Sequence, residues 1–220
     1  MRESMMDGGR IVQYGHWGRP VLAFPAEGGS ARDLGDRGMV DAVDGLIHSG
    51  RIKLYCVDAR DGVPDLRAEY EAWIVDRVVP YIHDDTGGDI IAVGPSMGAF
   101  HALNFALKHA DLFPLAIGLS GNYDSSRWLG SAAYFDNPTH YVPHLHGDHL
   151  GWLRERLSVL LVCGQGQWED TTGALDSTQH MADLLSGKGI RCELDLWGHD
   201  VPHDWPSWCA QLAHYLPRFC

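Results

Sequence analysis

Short apolar, β-rich runs that alternate with segments of helical period predict an α/β protein, with a mostly parallel central sheet, helices on both of its faces and a small insertion. Three observations carry this. Several runs are continuously apolar, as parallel strands buried on both sides must be. The segments between them repeat their apolar residues at three- and four-residue spacing. The 220 residues, 45% hydrophobic, suffice for one sizeable core, so 1–220 is read as a single domain.

The expected strands are Ile11–Tyr14, Val21–Phe24, Ile52–Val57, Ile90–Val93, Leu115–Leu119, Val159–Cys163 and Cys192–Leu196. Between the third and fourth, Tyr70, Trp73, Ile74, Val78 and Tyr81 form one apolar stripe, with Glu69, Glu71, Asp76 and Arg77 outside it, which predicts a crossover helix. Ser177, followed by Met181, Leu184 and Leu185 and then by Gly187 and Gly189, predicts a capped helix with a glycine stop. A last helix is expected from near Pro206, with Trp208, Leu212, Tyr215 and Leu216 on one side. The stretch Gly121 to Gly151 fits neither period and is rich in Asn, Asp, Pro, His and aromatic residues. A segment of that length is expected to be functional or to hold short helices of its own, and 121–151 is taken as a cap-like or substrate-side insertion.

Composition narrows the partners. Twenty-nine acidic against seventeen basic residues give a net charge of -12, a field that repels phosphate backbones, so no nucleic-acid partner is expected. The first ten residues have no apolar core of a signal peptide, and no stretch approaches the ~20 apolar residues of a membrane span, so a soluble, cytoplasmic protein is expected. Cys56, Cys163, Cys192, Cys209 and Cys220 stand singly and are odd in number, which argues against a disulfide framework, and Cys56, Cys163 and Cys192 lie in apolar runs, where a thiol acts as a small hydrophobe.

The chemistry centres on one turn. Ile90-Ile91-Ala92-Val93 runs into Gly94-Pro95-Ser96-Met97-Gly98 and then into an Ala-rich helical segment. Strand, GxSxG and helix in this order form a nucleophile elbow, in which a sharp turn exposes the Ser hydroxyl and small flanking residues let the chain pack closely. No GK[ST] follows, which excludes a Walker phosphate loop. The helix start and the amide of Met97 would face a developing oxyanion.

A serine hydroxyl needs an imidazole to take its proton and a carboxylate to orient that imidazole. In α/β-hydrolases the chain order is Ser, acid, His. After the strand ending at Cys163, the loop Gly164-Gln165-Gly166-Gln167-Trp168-Glu169-Asp170 offers two carboxylates; Asp170 is preferred, with Glu169 as its competitor. After the strand ending at Leu196, His199 and His203 compete for the base, and His203 is preferred because it lies just before the final helix. Trp168 and Trp205, each beside a candidate residue, are candidates for substrate contact or for packing beside it. His16, His101 and His109 are assigned no chemistry.

The segment Ser96-Met97-Gly98-Ala99-Phe100-His101-Ala102-Leu103 resembles the SMGGxxAL segment of the putative-esterase family of the α/β-hydrolase superfamily, which groups esterase D, enterochelin esterases and mycolyl transferases. His203-Asp204-Trp205-Pro206-Ser207-Trp208 is similar to that family's H-[SD]-W-x-x-W ending, and the resemblance runs from about Pro20 to the C-terminus. It implies an α/β-hydrolase fold, a small-molecule acyl-ester substrate, no cofactor, and His203 rather than His199 as the base. Pro95 departs from the family's polar or aromatic residue before the nucleophile, and Phe24-Pro25-Ala26-Glu27-Gly28-Gly29 stands where the family has His-Gly. The first oxyanion donor is still expected to be an amide of that loop, taken as that of Glu27, provided its carboxylate points away.

One motif competes. His144-Leu145-His146-Gly147-Asp148-His149 matches the HxHxDH metal signature of metallo-β-lactamase-type hydrolases. There it follows a buried strand; here it follows Asn137-Pro138-Thr139-His140-Tyr141-Val142-Pro143, which has no continuous apolar run. No metal is therefore expected, and the reading is a serine esterase working through an acyl-enzyme on Ser96. A metal-dependent hydrolase at the His144 cluster and a noncatalytic hydrolase-fold binding protein are the alternatives.

Overall fold

Successive side chains of a strand point to opposite sheet faces, so a strand that is apolar throughout must be covered on both. Ile91 and Val93 lie with Val21 and Ala23 in one core, while Ala92 and Leu22 belong to the other. The computed structural model, which describes residues 1–7, 9–59, 66–126 and 136–220, shows the sheet that divides these two cores. Its strands are β1 (Arg2–Met6), β2 (Gly9–Tyr14), β3 (Arg19–Ala23), β4 (Ile52–Val57), β5 (Ile91–Pro95), β6 (Leu115–Leu119), β7 (Ser158–Cys163) and β8 (Arg191–Leu196). They form one eight-stranded sheet in the order β1-β2-β4-β3-β5-β6-β7-β8. From β4 through β8 all pairings are parallel; β2 runs antiparallel to both β1 and β4.

The seven expected strands are present, and β1 is an eighth. It is polar and pairs only with β2, so it carries no apolar run for a periodicity argument to find. Its position at the edge makes that composition tolerable, because little of it is buried.

On one side of the sheet lie three short helices, α1 (Asp33–Asp36), α2 (Met39–Ala42) and α3 (Asp44–His48), together with the last helix, here α10 (Trp205–Tyr215). On the other lies a rod made of α4 (Leu66–Trp73), a π-helical turn at Ile74–Val78, and α5 (Val79–Asp85). Tyr70, Trp73, Ile74 and Val78 are buried, as their spacing predicts. The widened turn ends two residues before Pro80, which can neither donate to the previous turn nor fit against it. The same side carries α6 (Met97–Lys108), α7 (Pro138–Tyr141), α8 (Gly147–Arg156) and α9 (Ala174–Gly187).

Helix α9 begins three residues ahead of Ser177, at a left-handed Gly173. The Ser177 hydroxyl is not a cap: it accepts from the Tyr123 amide at 2.8 Å, tying the chain after β6 to the helix. Within 121–151, Tyr123, Tyr141, Val142 and Leu150 are buried in the core, and α7 and the first half of α8 are its short helices. Residues 127–135 of that expected insertion lie outside the described residues. Among the described residues, no helix is long and apolar enough to cross a membrane.

Candidate active site

The connection from β3 leads to β4 on one side of it, and the chain then returns to place β5 on the other, so the carboxyl ends of β3 and β5 flank a crevice of the kind where open α/β sheets bind ligands. Ser96 stands at the end of β5 with φ 53° and ψ -118°, a conformation rare for any residue with a side chain. Neighbouring structure holds it there: its amide donates to Leu119 O at 2.8 Å, and its carbonyl accepts from Ala99 at 3.0 Å. Both glycines of the motif are required by close approach. A Cβ on Gly94 would run into the backbone of Gly98, and one on Gly98 would run into the carbonyl oxygen of Phe24. The start of α6 is thereby pressed against the chain leaving β3, which brings the loop containing Glu27 to the same cavity as Ser96 and Met97. The first amides of a helix lack intrahelical acceptors, so Met97 offers a donor at the positive end of α6.

The imidazole comes from the loop between β8 and α10. Backbone bonds lace that loop to the one after β7: Gly166 N donates to Val201 O at 2.9 Å and His203 N to Gln167 O at 2.9 Å. Gly164 permits the contact, since a Cβ there would collide with Val201 O. Asp204 caps α10 by accepting from Ser207 N at 3.0 Å, and the Trp208 ring meets the His203 ring edge-on at 4.9 Å. His203 Nε2 then lies 3.1 Å from Ser96 Oγ. His199 is exposed, with its Nδ1 3.3 Å from Gln165 O, and does not reach Ser96.

The carboxylate at His203 is Glu169, not Asp170. Glu169 Oε2 lies 2.8 Å from His203 Nδ1, and its side chain has no exposed surface. Asp170 is exposed and accepts from the Thr171 amide at 2.8 Å. The reason lies one residue earlier: Trp168 adopts φ 75°, and this left-handed kink turns Glu169 inward and its neighbour out. The buried carboxylate is matched by donors on both oxygens: Ser120 Oγ at 2.5 Å and Gly164 N at 3.3 Å on Oε1, and Cys163 Sγ at 3.4 Å beside His203 on Oε2. Burial, and then the charge of Glu169, push the Cys163 thiol up, so it stays protonated and serves as donor.

The family model described as "Putative esterase" matches residues 56–219, well over half of the chain. The chain belongs to this esterase family. Membership assigns it carboxylic ester hydrolysis. No curated protein sequence matches it. Among solved structures it is similar to a ferulic acid esterase, with a TM-score of 0.77, 21% identity, and coverage of 96% of this chain and 90% of that one. It is also similar to MPT51 of Mycobacterium tuberculosis, at 0.70 and 14% with 96% and 91% covered, and to an S-formylglutathione hydrolase of Staphylococcus aureus, at 0.70 and 15% with 96% and 92% covered. These likenesses show the α/β-hydrolase fold.

In this esterase the cavity at Ser96 measures about 280 Å³ and is lined by Glu27, Met97, Ser120, Asn122, Thr172, Ala174 and His203. Ser120, Asn122 and Thr172 were not singled out by motif; the position of Leu119-Ser120-Gly121 at the carboxyl end of the strand next to β5 is the signal that points there. Trp168 is 54% exposed, next to Glu169 in the loop after β7 but not among the lining residues. Trp205 stacks edge-on with Trp208 at 5.3 Å and packs into the core on the α10 side of the sheet. It is not among the residues that line the cavity.

The HxHxDH segment lies elsewhere in the esterase. His146 precedes α8, Asp148 and His149 sit in its first turn, and all four motif side chains are exposed. His149 stacks on Trp152 at 5.5 Å. Among the described residues, no three His, Cys, Asp or Glu side chains are grouped to hold a metal ion.

Proposed function

We propose that this esterase hydrolyses small carboxylic esters through an acyl-enzyme on Ser96, with His203 as general base and acid and Glu169 orienting it. The supporting observation is the continuous chain from Ser96 Oγ to His203 Nε2 at 3.1 Å and from His203 Nδ1 to Glu169 Oε2 at 2.8 Å. Ser96 Oγ attacks the ester carbonyl carbon while its proton passes to His203 Nε2. The resulting oxyanion accepts from the amides of Met97 and Glu27. Collapse breaks the bond to the alcohol oxygen, which leaves with the proton from Nε2, and the acyl group remains on Oγ. Water then gives a proton to Nε2 and its oxygen to the carbonyl carbon, and the carboxylic acid departs as Oγ regains the proton.

The cavity, lined largely by short and polar side chains, suits a short acyl group, and its size lies at the lower end of small-molecule sites. Asn122 brings the first residues of the 121–151 segment to the substrate side. Exposed next to the acid loop, Trp168 is placed to meet a part of the substrate that projects from the cavity. Glu27, also exposed, disfavours anionic groups at the mouth.

A fluorophosphonate probe, read by intact mass and peptide mapping, should add once, on Ser96. Ser96→Ala should lose the label and lower turnover of p-nitrophenyl acetate by at least roughly a thousandfold. Wild-type turnover in that variant ends the proposal.

A further inference from the structure

Glu169 is held by a residue that no sequence motif marks. Ser120 follows β6, has no exposed surface, and adopts φ 51°. That conformation is the province of glycine, and Gly121 is the next residue, yet a side chain is present. Its amide is fixed by Val162 O at 2.7 Å, which keeps the residue in the sheet's register and aims Oγ across to the loop after β7. There it donates to Glu169 Oε1 at 2.5 Å, the short distance typical of a hydroxyl donating to an ionised oxygen.

The two carboxylate oxygens are thereby given different work. Oε2 faces His203, and Oε1 faces Ser120 and, at 3.3 Å, the Gly164 amide. Without the hydroxyl, Oε1 retains a single long donor in a site that water does not reach, so the carboxylate is free to rotate and its charge is poorly matched. Ser120 also borders the cavity of Ser96 and His203. The strained backbone is consistent with a hydroxyl kept for use rather than for packing.

We infer that Ser120 is a positioning residue, which acts through Glu169 to hold the His203 imidazole in line with Ser96. This rests on the triad reading given above. The effect then runs through Glu169: kcat falls because His203 is less firmly aligned with Ser96, and it falls only while position 169 carries a carboxylate.

The test compares Ser120→Gly, which suits the backbone and removes the hydroxyl, with Ser120→Ala, on p-nitrophenyl acetate, alongside Glu169→Gln and the double variant Ser120→Gly/Glu169→Gln. Circular dichroism and fluorophosphonate labelling verify the fold and count active sites. Both single variants at position 120 should lower kcat roughly ten- to a hundredfold, less than the ~10⁴ of losing the acid, with KM unchanged. In the Glu169→Gln background, Ser120→Gly should cost nothing more. A Ser120→Gly enzyme with wild-type kcat, beside an impaired Glu169→Gln, overturns the inference alone. Wild-type activity in Glu169→Gln overturns the triad reading and the inference with it.

Discussion

Gly98 and Phe24 meet backbone to backbone, the glycine so close to the phenylalanine's carbonyl oxygen that a Cβ would overlap it. One contact thus joins the start of α6 to the loop that carries Glu27. Gly98→Ala must push the two apart. Overpacking of this kind costs about 1–3 kcal/mol, and a shift of ~1 Å at a reacting centre costs on the order of a hundredfold in rate. A urea unfolding curve and kcat/KM should both fall in the variant; unchanged values in both would show that the loop yields without affecting the site.

Glu169 and Asp170 provide a contrast between adjacent residues. Glu169→Gln keeps the shape but removes the charge that fixes the His203 tautomer, and should reduce kcat by roughly 10³–10⁴. Asp170→Asn alters an exposed carboxylate whose protein partner is the Thr171 amide, and should leave kcat/KM within about twofold, as exposed substitutions away from a site do. The reverse ranking would make Asp170 the acid in place of Glu169.

This pair also marks where legibility in the sequence ends. The parallel strands are buried on both faces and declare themselves as apolar runs, and the elbow at Ser96 is a local motif, although only Gly94 serves a contact a few residues away while Gly98 serves the distant Phe24. His203 was recognisable because the Trp208 that packs against it belongs to the same ending. Which of two neighbouring carboxylates turns inward depends on the left-handed backbone of Trp168, and nothing in a tryptophan announces positive φ. β1 is hidden for the opposite reason to the core strands: at an edge, polar residues suffice. Ser120 is invisible until β6 and β7 are side by side, since its partner lies 49 residues along the chain.

The exposed histidines of the HxHxDH segment give a further expectation. His144 and His149 border a separate cavity with Leu107, Lys108 and Tyr141, at the end of α6 remote from Ser96. His144→Ala, His149→Ala and incubation with EDTA should each leave p-nitrophenyl acetate turnover within about twofold, the range expected of surface changes. Loss of activity on chelation, restored by a divalent metal, would favour the metal-dependent alternative over the serine mechanism.

Far from the chemistry, Glu71 joins the rod beside the sheet to the end of α6. Its Oε1 lies 2.8 Å from His109 Nε2 and its Oε2 2.6 Å from Lys108 Nζ. The hydrogen bond from His109, aided by Lys108 and opposed by burial, pulls its carboxyl from 4.5 down to about 2. A carboxyl depressed by folding contributes stability that is complete above the unfolded value and fades as pH falls toward the folded one. The window is therefore from about 4.5 down to about 2. The side chain is 32% exposed, so solvent screening limits the contribution to about 1 kcal/mol. Glu71→Gln should lower the urea midpoint at pH 6, and the gap from wild type should narrow steadily at pH 4 and pH 3. A gap that stays constant across that range would mean that shape and packing, rather than the charge, connect the rod to α6.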